Sequence, residues 1–203
     1  MIKNEVLKSV LTNTVFQVLS FFNRFIPKDD KLILIYSNMG MRDNVKAIYD
    51  HLIENNYNNK YKILVSCNDE FDNKFPTNVK RISNMSGVMY YLKAGHVFYA
   101  FGRIPIYPKK GQNVVQMWHG TPFKAPDQHQ LKTAPPKPYY TSMLISSEYF
   151  KEIVKRAHGL KDENIAICGQ PRTDAMFEDF EKYPELKNYK KVVVWLPTFR
   201  KSS

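Results

Sequence analysis

Cysteine is scarce in this chain: Cys67 and Cys168 are the only two, and they lie far outside the short spacing that zinc or redox centres use. Both sit in or beside apolar runs, so a reducing cytoplasm is the expected location. Long apolar runs are missing as well, and without about 18 uninterrupted apolar residues no segment reads as a lone membrane-spanning helix. Metal-ligand spacing is absent among His51, His96, His119, His129 and His158, so no metal is expected; no cofactor is expected either. No internal repeat or low-complexity tract is visible. Acidic side chains are in deficit, with 19 Asp and Glu against 30 Lys and Arg and a net charge of +11. That balance calls for an anionic partner, whether phosphate, nucleic acid or a lipid surface. Dispersal of the basic residues, with no single basic helix or stacking platform, argues against nucleic acid.

What is present is enough apolar material for a core. The 203 residues are 43% hydrophobic, sufficient for one domain or for one domain and part of another. Leu7, Leu11, Val15, Val18, Phe22 and Phe25 recur at helical spacing, interrupted by Lys8, Asn13, Gln17 and Asn23. The spacing predicts an amphipathic helix ended by Pro27. No small-residue cleavage site follows it, which weighs against a signal peptide. Packing of this helix on its own domain is the favoured reading, because its polar face carries few positive charges. Peripheral attachment to an anionic membrane surface, at the inner face of the cell membrane, is the other.

Beyond Lys31, short apolar runs alternate with amphipathic segments and turns, the pattern of strand and helix in a parallel sheet. Strands are predicted over residues 32 to 36, 62 to 66, 97 to 100, 114 to 118, 142 to 146, 165 to 168 and 192 to 196. From Asp43 to Glu54, Val45, Ile48, Tyr49, Leu52 and Ile53 share one helical face, which makes a βαβ unit with the first two strands. Crossover helices are predicted over 87 to 94 and 147 to 157, the second capped by Ser146 or Ser147. Loop 101 to 112, basic with Pro105 and Pro108, and loop 125 to 140, with Pro126, Pro135, Pro136 and Pro138, have the length of lids or binding segments, with plain surface loops as the equal alternative. The polar stretch near Tyr183 and Pro184 reads as a linker before a last strand. A parallel strand needs neighbours to satisfy its backbone. The expectation is therefore a chain cut short: helix 1–28, a Rossmann-like domain 29–184, and a linker with the first strand of a second domain over 185–203.

In an open α/β sheet, ligands bind beyond the carboxyl ends of the strands. Three such junctions are polar. In VVQMWHGTPFK, His119 follows the strand, Gly120 permits a tight turn, and Thr121 with Pro122 suits a helical turn aimed at an anion. Histidine can take a proton from an attacking hydroxyl near neutral pH, although a lone histidine after a strand is more often a structural hydrogen-bonder. In NIAICGQPRTDAMF, Arg172 is presented after Cys168, Gly169 and Pro171. Arginine grips phosphate with two prongs, while a surface pair with Asp174 or Glu178 is the plainer alternative. In VVVWLPTFR, Pro197, Thr198 and Arg200 follow the last apolar run.

WHGTPFK, GQPRTDAMF and LPTFR, in that order, resemble the motifs of bacterial CDP-glycerol glycerophosphotransferases, which build the poly(glycerol phosphate) of teichoic acids and related capsule polymers. YSNMGMRDNVKAIYDHL is similar to that family's first strand and helix. The resemblance runs from about Lys31 to Arg200 and covers the first half of the family's catalytic region. It implies the acceptor domain of a GT-B type transferase, with CDP-glycerol and a glycerol phosphate polymer or lipid-linked acceptor as partners, and no nucleic acid. His119 matches the family's general base, and Gly120, Thr121, Pro122, Phe123, Arg172, Pro197 and Thr198 match positions lining the CDP-glycerol site. Phe123, Gln170 and Phe199 depart from the family's usual leucine, aromatic and tryptophan.

Overall fold

The computed structural model describes residues 10, 14–68, 75–102, 104–120, 137–177, 184–186 and 188–195. Residues 1–173 and 174–203 form two compact units. The first is built on strands β1 (Asp29–Tyr36), β2 (Lys62–Ser66), β3 (Val79–Ile82), β4 (Ala94–Tyr99), β5 (Asn113–Gln116), β6 (Ser142–Ile145) and β7 (Ile165–Ile167). They make one sheet in the order β3-β2-β1-β4-β5-β6-β7, and every neighbouring pair is parallel. Helices α1 (Val15–Asn23), α2 (Asp43–Glu54), α3 (Asn84–Tyr91) and α4 (Lys151–His158) accompany it. The expected Rossmann-like α/β fold is thus present. Strand order reverses between β1 and β4, which opens a crevice at their carboxyl ends.

Central strands β1 and β2 are apolar on consecutive residues because both faces of the sheet are covered. Leu32, Leu34 and Leu64 face one core cluster with Tyr91, Val97 and Val114. Ile33, Ile35, Ile63 and Val65 face the other, with Val45 and Leu52 of α2. Ile48, Tyr49 and Ile53 complete the apolar face of α2 against that second cluster, as their spacing predicts. The helix expected over residues 87 to 94 starts earlier, at Asn84, because the Ser83 hydroxyl accepts the Ser86 N–H at 3.2 Å. Strand β3, absent from the sequence reading, is an edge strand whose Lys80 and Arg81 break the apolar pattern.

The face of α1 differs from expectation. Val15, Val18, Phe22 and Phe25, the apolar stripe of the sequence pattern, are exposed, Phe25 to 67%. Phe16 and Leu19 pack inward instead, and between them Ser20 and Asn23 are buried. The reason is the connection from β4 to β5, which crosses the sheet over residues 104–112 without a helix. Its backbone needs partners from side chains. Ser20 Oγ accepts the Tyr107 N–H at 3.0 Å, and Asn23 Nδ2 donates to the Tyr107 carbonyl at 3.0 Å and to Gln112 Oε1 at 3.1 Å. Tyr91 Oη donates to the Ile106 carbonyl at 2.9 Å, and Gln112 Nε2 donates to the carbonyls of Tyr91 and Ala94. Lys28 Nζ reaches Asn23 Oδ1 and the Leu92 carbonyl; burial, then the charge of Lys109, pulls its pKa down to about 8.

In the second unit, residues 191–195 carry no regular structure, where the sequence pattern predicts an additional strand. Val193, Val194 and Trp195 are exposed, and among the described residues no strand pairs with this segment to close its backbone hydrogen bonds. Leu196 lies outside the described residues. Among the described residues no helix is long and apolar enough to cross a membrane.

The tightest helix-to-sheet approach is at Gly87 in α3, where an added Cβ would fall on Ser66 Oγ and lie 2.7 Å from Ser66 Cβ. Gly87→Ala is expected to lower stability in denaturant unfolding by about 1–3 kcal/mol, overpacking outweighing the better helix propensity of alanine. Ser66→Gly in the same chain should restore most of the loss, and a neutral Gly87→Ala would contradict the packing.

Candidate functional site

Three chain segments meet at the carboxyl edge of the sheet. The first leaves β1 through Ser37, whose hydroxyl donates to the Gly40 carbonyl at 2.6 Å, and arches into α2. At the head of α2, Asp43 has a left-handed backbone, φ 59°, and its Oδ1 accepts the Asn44 N–H at 2.7 Å. The Asn44 side chain is fully buried and points away from its own helix. Its Nδ2 donates to the Trp118 carbonyl at 2.9 Å, to the Met117 carbonyl at 3.3 Å and to Gln170 Oε1 at 2.6 Å.

The second segment leaves β5. Met117 N–H continues the ladder to the Tyr99 carbonyl, and Gln116 Oε1 accepts the Trp118 N–H at 2.9 Å. Trp118 then adopts φ 58°, which swings the chain out of the sheet and leaves His119 exposed. The imidazole is held between two rings: Phe101 at 5.4 Å between centroids and 5° between planes, and Trp118 at 4.6 Å and 20°. The indole is backed edge-on by His158 at 5.0 Å. His158 Nδ1 lies 2.8 Å from Tyr140 Oη, and burial holds its pKa below the ordinary histidine range.

The third segment follows β7. Arg172 N–H donates to Asn44 Oδ1 at 3.0 Å, and the Arg172 guanidinium pairs with Asp43; Glu178 lies outside the described residues. A Cβ on Gly120, where φ is 142°, would stand 3.1 Å from Arg172 Nη2. Gly120 therefore leaves room for the guanidinium beside the residue that follows His119.

Of the residues singled out from the sequence, His119, Gly120 and Arg172 are brought to one edge. Thr121, Pro122, Phe123, Pro197 and Thr198 lie outside the described residues. Asp43, Asn44, Phe101, Trp118 and Gln170 were not assigned a place at the site by sequence reasoning. A signal existed for two of them, since Asp43 and Asn44 stand where the first helix opens after the first strand, at the edge where ligands gather. Nothing in a one-dimensional pattern marks Phe101 as the ring that His119 stacks on. Among the described residues no group of three or more His, Cys, Asp and Glu is placed to hold a metal ion. What the edge offers chemically is an exposed imidazole of restricted orientation next to a cation whose present partner is a carboxylate, so an anionic ligand can compete for it.

Comparison with known proteins agrees with this architecture. Residues 18–203 match the model of the CDP-glycerol:poly(glycerophosphate) glycerophosphotransferase family. A teichoic acid poly(ribitol-phosphate) polymerase of Bacillus spizizenii is 27% identical over 203 residues, covering 87% of this chain and 31% of the relative. A teichoic acid poly(glycerol phosphate) polymerase of Staphylococcus epidermidis is 27% identical over 185 residues, covering 78% of this chain and 25% of the relative. Among solved structures, the wall teichoic acid polymerase TagF shares the fold with a TM-score of 0.61 at 20% identity, over 86% of this chain and 46% of that one. The chain thus spans less than half the length of these relatives.

Proposed function

This chain belongs to the CDP-glycerol:poly(glycerophosphate) glycerophosphotransferase family, and on that premise we propose that it serves the transfer of glycerol phosphate from CDP-glycerol to a polymer or lipid-linked acceptor in teichoic acid or capsule synthesis. His119 is the general base. It takes the proton of a terminal acceptor hydroxyl as that oxygen attacks the β-phosphorus of CDP-glycerol; the bond to the bridging oxygen breaks and CMP leaves with the electron pair. Arg172 offsets the charge of the diphosphate, trading its contact with Asp43 for phosphate oxygens. On the family resemblance, Gly120, Thr121, Pro122, Phe123, Pro197 and Thr198 are proposed to serve CDP-glycerol binding as well. The observation that carries this reading is the approach of the Arg172 guanidinium to Gly120, immediately after the stacked His119.

The second reading is a non-catalytic remnant or acceptor-binding module of the same family, without transfer activity. Turnover by the unaltered chain excludes it.

The exposed stripe of Val15, Val18, Phe21, Phe22 and Phe25 on and beside α1 supports peripheral attachment to an anionic membrane surface, aided by the net charge of +11. In co-sedimentation with phosphatidylglycerol vesicles, Phe22→Ser with Phe25→Ser is expected to leave most of the protein in the supernatant. Undiminished pelleting of the double variant removes this reading.

In turnover assays with CDP-glycerol and a glycerol phosphate-primed acceptor, His119→Ala should lower kcat about 10²-fold or more with the melting temperature little changed. Retained turnover makes this histidine structural. Arg172→Ala should chiefly raise KM for CDP-glycerol, and an unaltered KM speaks against its phosphate contact.

A further inference from the structure

The amide of Asn44 does more than begin a helix. Its two N–H bonds serve three acceptors, the Met117 and Trp118 carbonyls and Gln170 Oε1, while its Oδ1 takes the Arg172 N–H. One fully buried side chain is therefore fastened both to the turn that presents His119 and to the turn that presents Arg172. On either side of it stand non-glycine residues with left-handed backbones, Asp43 at φ 59° and Trp118 at φ 58°. Backbones of that kind cost free energy and persist only where their surroundings over-determine them. At Trp118 the restraint is visible: Gln116 Oε1 holds its N–H and Asn44 holds its carbonyl. The left-handed turn so fixed is what lays the imidazole between the Phe101 and Trp118 rings.

We propose that Asn44 is a positioning residue for the transfer reaction: it sets the spacing and orientation of His119 and Arg172 relative to each other through a single buried amide. The inference rests on the roles given above to those two residues. Gln170 belongs to the same device. Its Oε1 accepts from Asn44 Nδ2 at 2.6 Å, which a hydrocarbon side chain in its place could not do.

The test reads the two residues directly. In carbon- and nitrogen-edited spectra of the whole chain, Asn44→Ala is expected to move the His119 ring protons downfield, as the imidazole leaves two aromatic faces, and to move the Arg172 Nε–H signal with it. His96, which lies on β4 and packs on Tyr61, should keep its shifts. Asn44→Asp preserves volume but turns an oxygen toward three acceptors, and is read in the same way if the alanine variant does not fold. Unmoved His119 and Arg172 signals in a folded variant overturn the proposal. So does a change spread equally to His96, or failure of both variants to fold, since either outcome makes Asn44 a general prop. In turnover, Asn44→Ala should lower kcat about 10²-fold and raise KM for CDP-glycerol together; a merely structural lesion reduces the active fraction and leaves KM in place. The spectra need no substrate, so their failure leaves the role of His119 standing. Normal turnover by His119→Ala removes that role without touching the spectral result.

Discussion

Everything at the carboxyl edge depends on the parallel pairing of β1 with β2 on one side and with β4 on the other. Leu34 pairs with Leu64 and with Val97 in that arrangement, and all three are buried. Because each of the seven strands points the same way, all of their polar exits emerge on one edge. Because the order turns back at β1, the segments leaving β1 and β4 part there instead of lying side by side. The arch into α2 and the loop bearing Phe101 are those two segments. His119, one strand further along, reaches the gap by stacking on the second of them.

The two histidines of this region illustrate how burial divides labour between like side chains. His119 is exposed at the rim, restrained by ring faces alone among the contacts described for it. His158 is half-buried behind the indole, hydrogen-bonded to Tyr140, and its neutral form is favoured by desolvation. A neutral imidazole is an ordinary packing group, suited to bracing Trp118 from behind. The exposed one keeps access to solvent and solute, as proton exchange requires.

Much of the frame was legible because local patterns decide it. Residues 62 to 66 form β2 as their apolar run predicts, and α2 spans Asp43–Glu54 as its spacing predicts. The edge strand β3 leaves no apolar run in the sequence because only one side of it is paired, so Lys80 and Arg81 are tolerated where a central strand would exclude them. The orientation of α1 departs from its sequence pattern for a deeper reason. A hydrophobic stripe identifies the inward face only if the surface beneath it is apolar, and here that surface is the backbone of residues 104–112, which asks for Ser20 and Asn23. At the site, the chain positions of His119 and Arg172 were legible from strand ends. Asn44 was not, because a buried amide satisfied by carbonyls distant in sequence leaves no periodic trace.

The crossing of residues 104–112 without a helix sets limits on how this protein can drift in sequence. A helical crossover closes its own hydrogen bonds and accepts almost any helix former on its outer face; this one has lent that task to Tyr91, Gln112, Ser20 and Asn23. Those polar side chains should consequently tolerate substitution as poorly as the buried Leu34 or Val97. A residue gained or lost between Ile104 and Gln112 would slip several donors off their acceptors at once, so this connection, a loop by its shape, should behave under selection as core.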